Sequence, residues 1–376
     1  MEAELTATAK FSERQGTKPS AAVEHTIAAI RGIDERYQRA AQGRLDSLTK
    51  PLGSLGQLEA VAAQYVAWRE EERPKIARKA VFVFAGDHGI TEEGVSAYPR
   101  EVTPQMVYNF LNGGAAINVL ARHAGSDIVV VDVGVDHDFN GAAGLVHRKV
   151  RRGTRNFARE AAMTEEELST AMEVGIDLAR QAGEHGRTLI ALGEMGIGNT
   201  SAATAITAAL TGKPVAELTG RGTGLDQQRC IRKAQIIDRA LKLHFGNWPS
   251  VRPEPLDILR CVGGYEIAAI TGAVLAATAN RIAVVIDGFI CTAAAAVACA
   301  MAPNARFGII AGHLSQEPGH RVLLESMSVK PILQLDMRLG EGTGAVLTFP
   351  IIESALRLYN EMATFGSAGV SEACET

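Results

Sequence analysis

The 376-residue sequence has little cysteine, and its five residues (Cys230, Cys261, Cys291, Cys299, Cys374) are odd in number and form no CxxC pair. A zinc ribbon and a disulfide framework are therefore not expected, and a reducing cytoplasm fits best. Long hydrophobic runs are missing too. The longest, Cys291 to Ala302, is too short and too rich in alanine to span a bilayer, and Asp287 lies just ahead of it. The first residues are acidic and polar, with no basic patch leading into an apolar stretch, so no secretory leader is expected. Charge of one sign is absent as well: 38 Lys and Arg are interspersed with 42 Asp and Glu for a formal charge of -4, with a pI near 6.2. That balance argues against a nucleic-acid partner. Three motifs are also missing. Without a Gly-Lys-Ser/Thr phosphate loop, a GxGxxG turn or a Gly-x-Ser-x-Gly elbow, neither an ATPase, nor a dinucleotide-linked dehydrogenase, nor a serine hydrolase is indicated.

What is there is a globular composition, 47% hydrophobic and 21% charged, enough for one large or two ordinary domains. Ala80 to Ala85 is a continuous apolar run of the kind buried on both faces of a sheet, and it ends at Gly86-Asp87-His88-Gly89. Similar runs at Asp127 to Val133, Thr188 to Leu192, Ile282 to Ile286 and Phe307 to Ala311 alternate with alanine-rich helical stretches. Alternation of this kind predicts an α/β fold with a mostly parallel, Rossmann-like sheet flanked by helices, whose strand exits bind ligands. A smaller helical domain is expected from the two ends. Its parts are an arm and helices over residues 1–79, including one helix from Val23 to Gln42 stopped by Gly43 and another up to Glu72. The α/β catalytic domain takes 80–350, and a final helix from about Ile351 to Ala363 within 351–376 packs back on the small domain before a tail.

The chemistry is expected in the turn Leu339-Gly340-Glu341-Gly342-Thr343-Gly344. Its glycines allow positive φ and close approach, so they can present Glu341 as a base on a tight turn, although such a run is also what a plain solvated turn looks like. A second candidate is Gly193-Glu194-Met195-Gly196-Ile197-Gly198-Asn199-Thr200, where a strand meets a helix start that could hold a mononucleotide phosphate or could simply be capped by Asn199 or Thr200. Thr219 to Gly224, with Lys233 further on, could close on the same phosphate. Asp87 and His88, and His313 with His320, lack the companions that a metal site needs. No metal and no cofactor are expected.

With those loops in view, the chain resembles the nicotinate-nucleotide:dimethylbenzimidazole phosphoribosyltransferase family, which makes the lower nucleotide of cobalamin. The resemblance runs from about Leu48 to Tyr359. It is carried by Thr49 to Gly56, Gly86 to Gly89, Gly94 to Pro99 with Val102-Thr103 and Gln105 to Val107, Gly193 to Thr200, and Leu339 to Gly344. It implies transfer of phosphoribose from nicotinate mononucleotide to 5,6-dimethylbenzimidazole with inversion at C1', and Glu341 as general base. It further implies Ser96, Tyr98, Gln105 and Leu339 along the benzimidazole slot, and Gly196, Ile197, Gly198, Asn199, Thr200, Gly222, Gly224 and Lys233 around the phosphate. Glu194 and Asp287 become ribose or inner-site carboxylates, Ser315 closes the pocket, and the active unit is a homodimer. Burial against an aromatic base would raise the pKa of Glu341, and Arg338 is expected to offset that. Two other readings remain open: transfer to another lower base such as adenine or a phenol, and a mononucleotide sensor without turnover.

Overall fold

The computed structural model describes residues 16–222 and 224–371. Seven strands form one sheet: β1 (Lys79–Gly86), β2 (Asp127–Gly134), β3 (Leu145–His147), β4 (Leu189–Met195), β5 (Ala283–Ile286), β6 (Ile309–His313) and β7 (Pro331–Leu333). Their order is β3-β2-β1-β4-β5-β6-β7, and every pairing is parallel. The order reverses between β1 and β4. Chain leaving those two strands diverges to opposite sides, and the crevice this opens is where parallel sheets bind ligands.

Alternation along β1 splits the core in two. Phe82 and Phe84 face a cluster that contains the Glu165–Glu184, Asn199–Thr211, Tyr265–Ala279 and Phe289–Met301 helices, whereas Val81, Val83 and Ala85 face the Gln57–Arg69 and Phe349–Glu361 helices. The alanine-rich helices are core elements: every residue of Tyr265–Ala279 from Tyr265 to Thr278 is buried. Small residues let this helix lie tightly against Glu165–Glu184. A Cβ on Gly175 would stand 1.8 Å from the Ala269 carbonyl oxygen, and one on Gly272 would stand 2.0 Å from that of Met172.

Several boundaries differ from the sequence expectation. The single helix over Val23 to Gln42 is two, Ala21–Ala28 and Glu35–Ser47, and Gly43 lies inside the second. The break has a packing cause. Val23 and Ile30 belong to the core on one face of the sheet, and Ala41 and Leu45, with Ile33 packed against them, belong to the other, so the chain crosses between them. Gly32 weakens any continuous helix there, and Asp34 caps the new one by accepting the N–H of Arg36. The helix expected to reach Glu72 ends at Arg69, because Glu70 turns left-handed (φ 53°). The strand expected from Phe307 starts at Ile309, preceded by a 3-10 turn over Pro303–Gly308.

The two chain ends meet. Arg44 donates to the carbonyls of Tyr359, Asn360 and Met362, Thr49 donates its N–H to Ala363, and the Gln57–Arg69 and Phe349–Glu361 helices pack together. Of the expected arm before Val23, residues 1–15 lie outside the described residues. Thr17 bonds to Asp257 and Ser20 to Glu173. The expected tail carries one more short helix, Phe365–Ala368, and Cys374 is outside the described residues.

Candidate active site

The Gly340-Glu341-Gly342 turn has three successive positive φ values, 91°, 65° and 90°. Only glycine takes this region freely, so the turn bends at Gly340 and Gly342 and forces Glu341 between them into a conformation that non-glycine residues rarely adopt. The turn then opens directly into the short Thr343–Leu347 helix. Two features of the sheet hold it. Asp287, just past the end of β5 and fully buried, accepts the Gly342 N–H through Oδ2 and the Ala345 N–H through Oδ1, both at 3.1 Å. Gly193 in β4 leaves room for the turn, since a Cβ there would stand 2.4 Å from the Glu341 carbonyl carbon.

Glu341 is 6% exposed, and its Oε2 has no hydrogen-bond partner among the described residues. Burial pushes its carboxyl up to about 7. The N–H of Ile117, in the first turn of the Ala116–Ala124 helix, opposes that rise, and the Asp287 charge adds to it. Arg338, expected to counter the rise, is directed elsewhere: its Nη1 donates to the Gly222 carbonyl at 3.2 Å. Asp287 is also pushed up to about 7 by burial, with the backbone N–H groups it accepts working against the shift.

Glu194 is the penultimate residue of β4 rather than part of the exit loop, and it is 6% exposed. Its carboxyl accepts the Asn199 amide and lies beside Gly340, where a Cβ would stand 2.5 Å from Oε1. Burial, with the charges of Asp287, Glu266 and Glu341 around it, holds Glu194 well above the usual carboxylate range. One inner wall thus carries three acids of which Glu341 keeps an open oxygen.

The β4 exit is built against β1. A Cβ on Gly196 would stand 2.3 Å from the Gly86 carbonyl, the Ile197 N–H goes to Thr103 Oγ1 at 3.1 Å, and Gly198 (φ 98°) starts the Asn199–Thr211 helix. Lys233, 1% exposed on the Gln227–Phe245 helix, donates to Thr200 Oγ1 at 2.8 Å, and a Cβ on Gly222 would stand 3.5 Å from Nζ. Burial pulls Lys233 down to about 8. Gly222 and Gly224 both have positive φ, and Thr223 between them lies outside the described residues. Ser315 is buried, gives its N–H to His320 Nδ1 at 2.9 Å and accepts the Glu317 N–H.

Glu341, Glu194, Asp287, Asn199, Thr200, Gly222, Lys233 and Ser315 therefore form one continuous set of contacts. The expected slot residues sit further out. Ser96 Oγ accepts the Tyr98 N–H, Tyr98 and Leu339 are 54% and 57% exposed, and Gln105 is exposed on the Val102–Leu111 helix. Their link to the inner wall runs through Thr103 to Ile197 and through the chain from Leu339 to Gly340.

Pairings that motif reading did not supply are also here, with Glu266 and Glu317 the residues it passed over. His88 is fully buried, with Nε2 2.6 Å from Oε1 of the equally buried Glu266 at the start of the Tyr265–Ala279 helix. Glu317 accepts the Gly222 N–H at 3.0 Å. His320 accepts through Nδ1, so its ring is neutral, and burial pulls it down to about 3. Asp287, expected as a ribose or inner-site carboxylate, spends both oxygens on the backbone of the turn that carries Glu341, a use the sequence did not specify. No motif announces a lone acid whose partner lies distant in sequence.

Among the described residues no helix is long and apolar enough to cross a membrane. A phosphoribosyltransferase family model (DBI_PRT) matches residues 30–370. A nicotinate-nucleotide–dimethylbenzimidazole phosphoribosyltransferase of Geobacter sp. (strain M21) is 54% identical over 350 residues, covering 93% of this chain and 99% of the relative. One from Chloroflexus aggregans is 51% identical over 350 residues, covering 92% and 97%. A crystal structure of CobT from Thermus thermophilus matches with a TM-score of 0.85 at 48% identity, over 90% of this chain and all of that one. Family model, relatives and fold coincide over nearly the whole described chain, and the chain belongs to the phosphoribosyltransferase family whose members are named nicotinate-nucleotide–dimethylbenzimidazole phosphoribosyltransferase.

Proposed function

We propose that this chain transfers the phosphoribosyl group of nicotinate mononucleotide to 5,6-dimethylbenzimidazole, giving α-ribazole 5'-phosphate and nicotinate with inversion at C1'. One observation carries the reading: a buried carboxylate, Glu341, with one unpartnered oxygen and a pKa pushed up to about 7, on a turn held by Asp287 and packed against β4. A base that titrates near neutrality is ionised often enough to accept a proton and basic enough to take it from a ring N–H as the other ring nitrogen attacks C1'. The ring nitrogen of the leaving nicotinate starts as a cationic pyridinium and departs neutral, so no negative charge develops on the leaving atom. Rate then comes mainly from positioning, on the order of several kcal/mol.

The phosphate belongs in this reading between the Gly196 to Thr200 loop, the Gly222 and Gly224 turn, and Lys233. Support comes from Lys233, a buried cation that donates to the Thr200 hydroxyl at the start of a 13-residue helix. Ser96, Tyr98, Gln105 and Leu339 are placed along the base slot, and Glu194, whose carboxyl burial holds well above the usual carboxylate range, is placed toward the ribose. The same reading makes the enzyme a cytoplasmic homodimer. Leu52 and Leu335, each more than half exposed, are apolar surface that a second copy would cover.

The test is a product assay by chromatography and mass, with nicotinate mononucleotide and dimethylbenzimidazole, benzimidazole, adenine or p-cresol, run beside Glu341→Gln. Dimethylbenzimidazole is expected to release nicotinate fastest, and the variant to lose about 10² to 10⁴ of kcat. Preference for adenine or p-cresol would reassign the acceptor. Binding of the mononucleotide with no product from any acceptor would replace transfer by sensing.

A further inference from the structure

Glu317 is a buried acid in the place where the proposed phosphate site needs positive charge. It lies on the loop after β6, is 8% exposed, and accepts the Gly222 N–H through Oε1 at 3.0 Å, while Oε2 has no hydrogen-bond partner among the described residues. Space for it is reserved. A Cβ on Gly220 would stand 2.0 Å from Oε2, so any other residue at 220 would displace the carboxylate. Across Gly222 sits Lys233 Nζ, hydrogen-bonded to Thr200, and the Gly222 carbonyl is taken by Arg338. The Gly222 peptide is thus held at both ends, with a buried ammonium beside its Cα.

We propose that Glu317 is a positioning residue of the phosphate site: it keeps Lys233 protonated while the site is empty, and holds the Gly222 N–H until a phosphate oxygen takes it. The proposal rests on the reading given under Proposed function. An ammonium almost wholly removed from water loses its hydration and tends toward the neutral amine unless an anion is near. Among the described residues, the groups that act on Lys233 are Glu317 from the loop after β6, Cys230 from its own helix and the Thr200 hydroxyl; the Glu317 charge is the larger of the two acidic influences raising its pKa. Glu317 also repels an arriving phosphate. Its net effect on binding therefore changes with pH: unfavourable or neutral where Lys233 is charged anyway, favourable where Lys233 would otherwise be neutral.

The readout is the KM for nicotinate mononucleotide in Glu317→Gln relative to wild type, from pH 6 to pH 9, with the KM for the acceptor base measured alongside. Gln keeps an acceptor for the Gly222 N–H and removes the charge. The ratio of mononucleotide KM values is expected to rise about tenfold or more across that range, the loss of one charge-assisted contact, while the ratio for the base stays flat. Glu317→Asp, which keeps the charge, is expected to give a flat mononucleotide ratio. A pH-independent ratio in Glu317→Gln, or an equal change for the base, overturns the proposal and leaves a structural role. Should Glu317→Gln fail to fold, Glu317→Asp decides alone: a ratio that rises with pH refutes the charge role. If wild type does not turn over nicotinate mononucleotide, it is the underlying reading that fails.

Discussion

Asp287 accepts the N–H of Gly342 at 3.1 Å through one carboxylate oxygen, and its other oxygen takes the N–H of Ala345. It thereby fixes the turn that carries Glu341 without sharing the open oxygen of that residue. His313 Nε2 lies 3.6 Å from the same carboxylate, and a Cβ on Gly344 would stand 2.0 Å from the His313 ring, so the clamp is packed from behind. Asp287→Asn swaps one acceptor for an amide that meets a backbone N–H donor to donor. The expected result is a fall in kcat of about 10²-fold, the usual consequence of moving a reacting group by an ångström, with the mononucleotide KM within about threefold of wild type. A KM effect as large as the kcat effect would instead put Asp287 in contact with substrate.

In the proposed mechanism the pH profile follows from two groups of opposite sign. Glu341 must be ionised to act and has a raised pKa of about 7, so activity is lost as pH falls through 7. Lys233 must be protonated to attract phosphate and has a lowered pKa of about 8, so activity is lost as pH rises through 8. The plot of kcat/KM for the mononucleotide is expected to be a narrow bell with limbs near those values, since that parameter reports groups of the free enzyme. Glu341→Gln should remove the acidic limb along with most of the rate. An acidic limb that stayed near 7 in the residual activity would show that another acid sets it.

How much of this could be read from the sequence depended on how local the signal is. β1, β2, β4, β5 and β6 lie inside the sheet, and each shows a continuous apolar run of near-correct length. β3 and β7 are three-residue edge strands, and β7 is only half-buried, so neither leaves a pattern to read. The helix over Val23 to Gln42 failed for a different reason: two short helices serving opposite faces of the sheet happen to share one apolar spacing. At the site, the tight turn that carries Glu341 was legible because its glycine neighbours are adjacent in sequence. Glu266 and Glu317 were not, because the meaning of each comes from a partner 178 and 95 positions away.

The His88–Glu266 pair is a test of what buried polarity contributes. Both side chains are fully buried and 2.6 Å apart behind the β1 exit. Removing one partner leaves the other without compensation, a loss of about 3–5 kcal/mol. For a chain of this length that corresponds to a Tm lower by about 4–6 °C in Glu266→Ala. Glu266→Gln keeps an acceptor for His88 and should lose clearly less. Calorimetry in which both variants melt together would mean that the hydrogen bond to His88 is not what the acid provides.

Tyr98 is more than half exposed, and its backbone N–H goes to Ser96, so nothing in the fold explains a large aromatic ring there. Stacking on a flat bicyclic base would explain it, since a ring face contributes on the order of 1 kcal/mol beyond buried area. Tyr98→Ala is expected to raise the KM for dimethylbenzimidazole by about tenfold with the mononucleotide KM and Tm unchanged. An unaffected base KM with a lower Tm or weaker self-association would move Tyr98 from the slot to a subunit contact.

Gly193 offers the sharpest separation of geometry from binding. Its own φ lies outside the left-handed region, so alanine suits its backbone, and it pairs within β4 like any strand residue. Only the added methyl matters, since it would lie 2.4 Å from the Glu341 carbonyl carbon and 2.5 Å from the Gly342 nitrogen. Strand β4 is central and hydrogen-bonded on both sides, so the turn is the part that gives way. Overpacking of this kind costs about 1–3 kcal/mol, a Tm change of only about 1–4 °C here. The displaced turn carries Glu341 with it, and kcat should fall about 10²-fold. The three atoms nearest the added methyl all belong to Glu341 and Gly342 and none to Lys233, Thr200 or Gly222, so the mononucleotide should bind Gly193→Ala as it binds wild type. Full kcat in a folded Gly193→Ala enzyme would mean that the turn tolerates displacement, and the rigid presentation of Glu341 would then have to be given up.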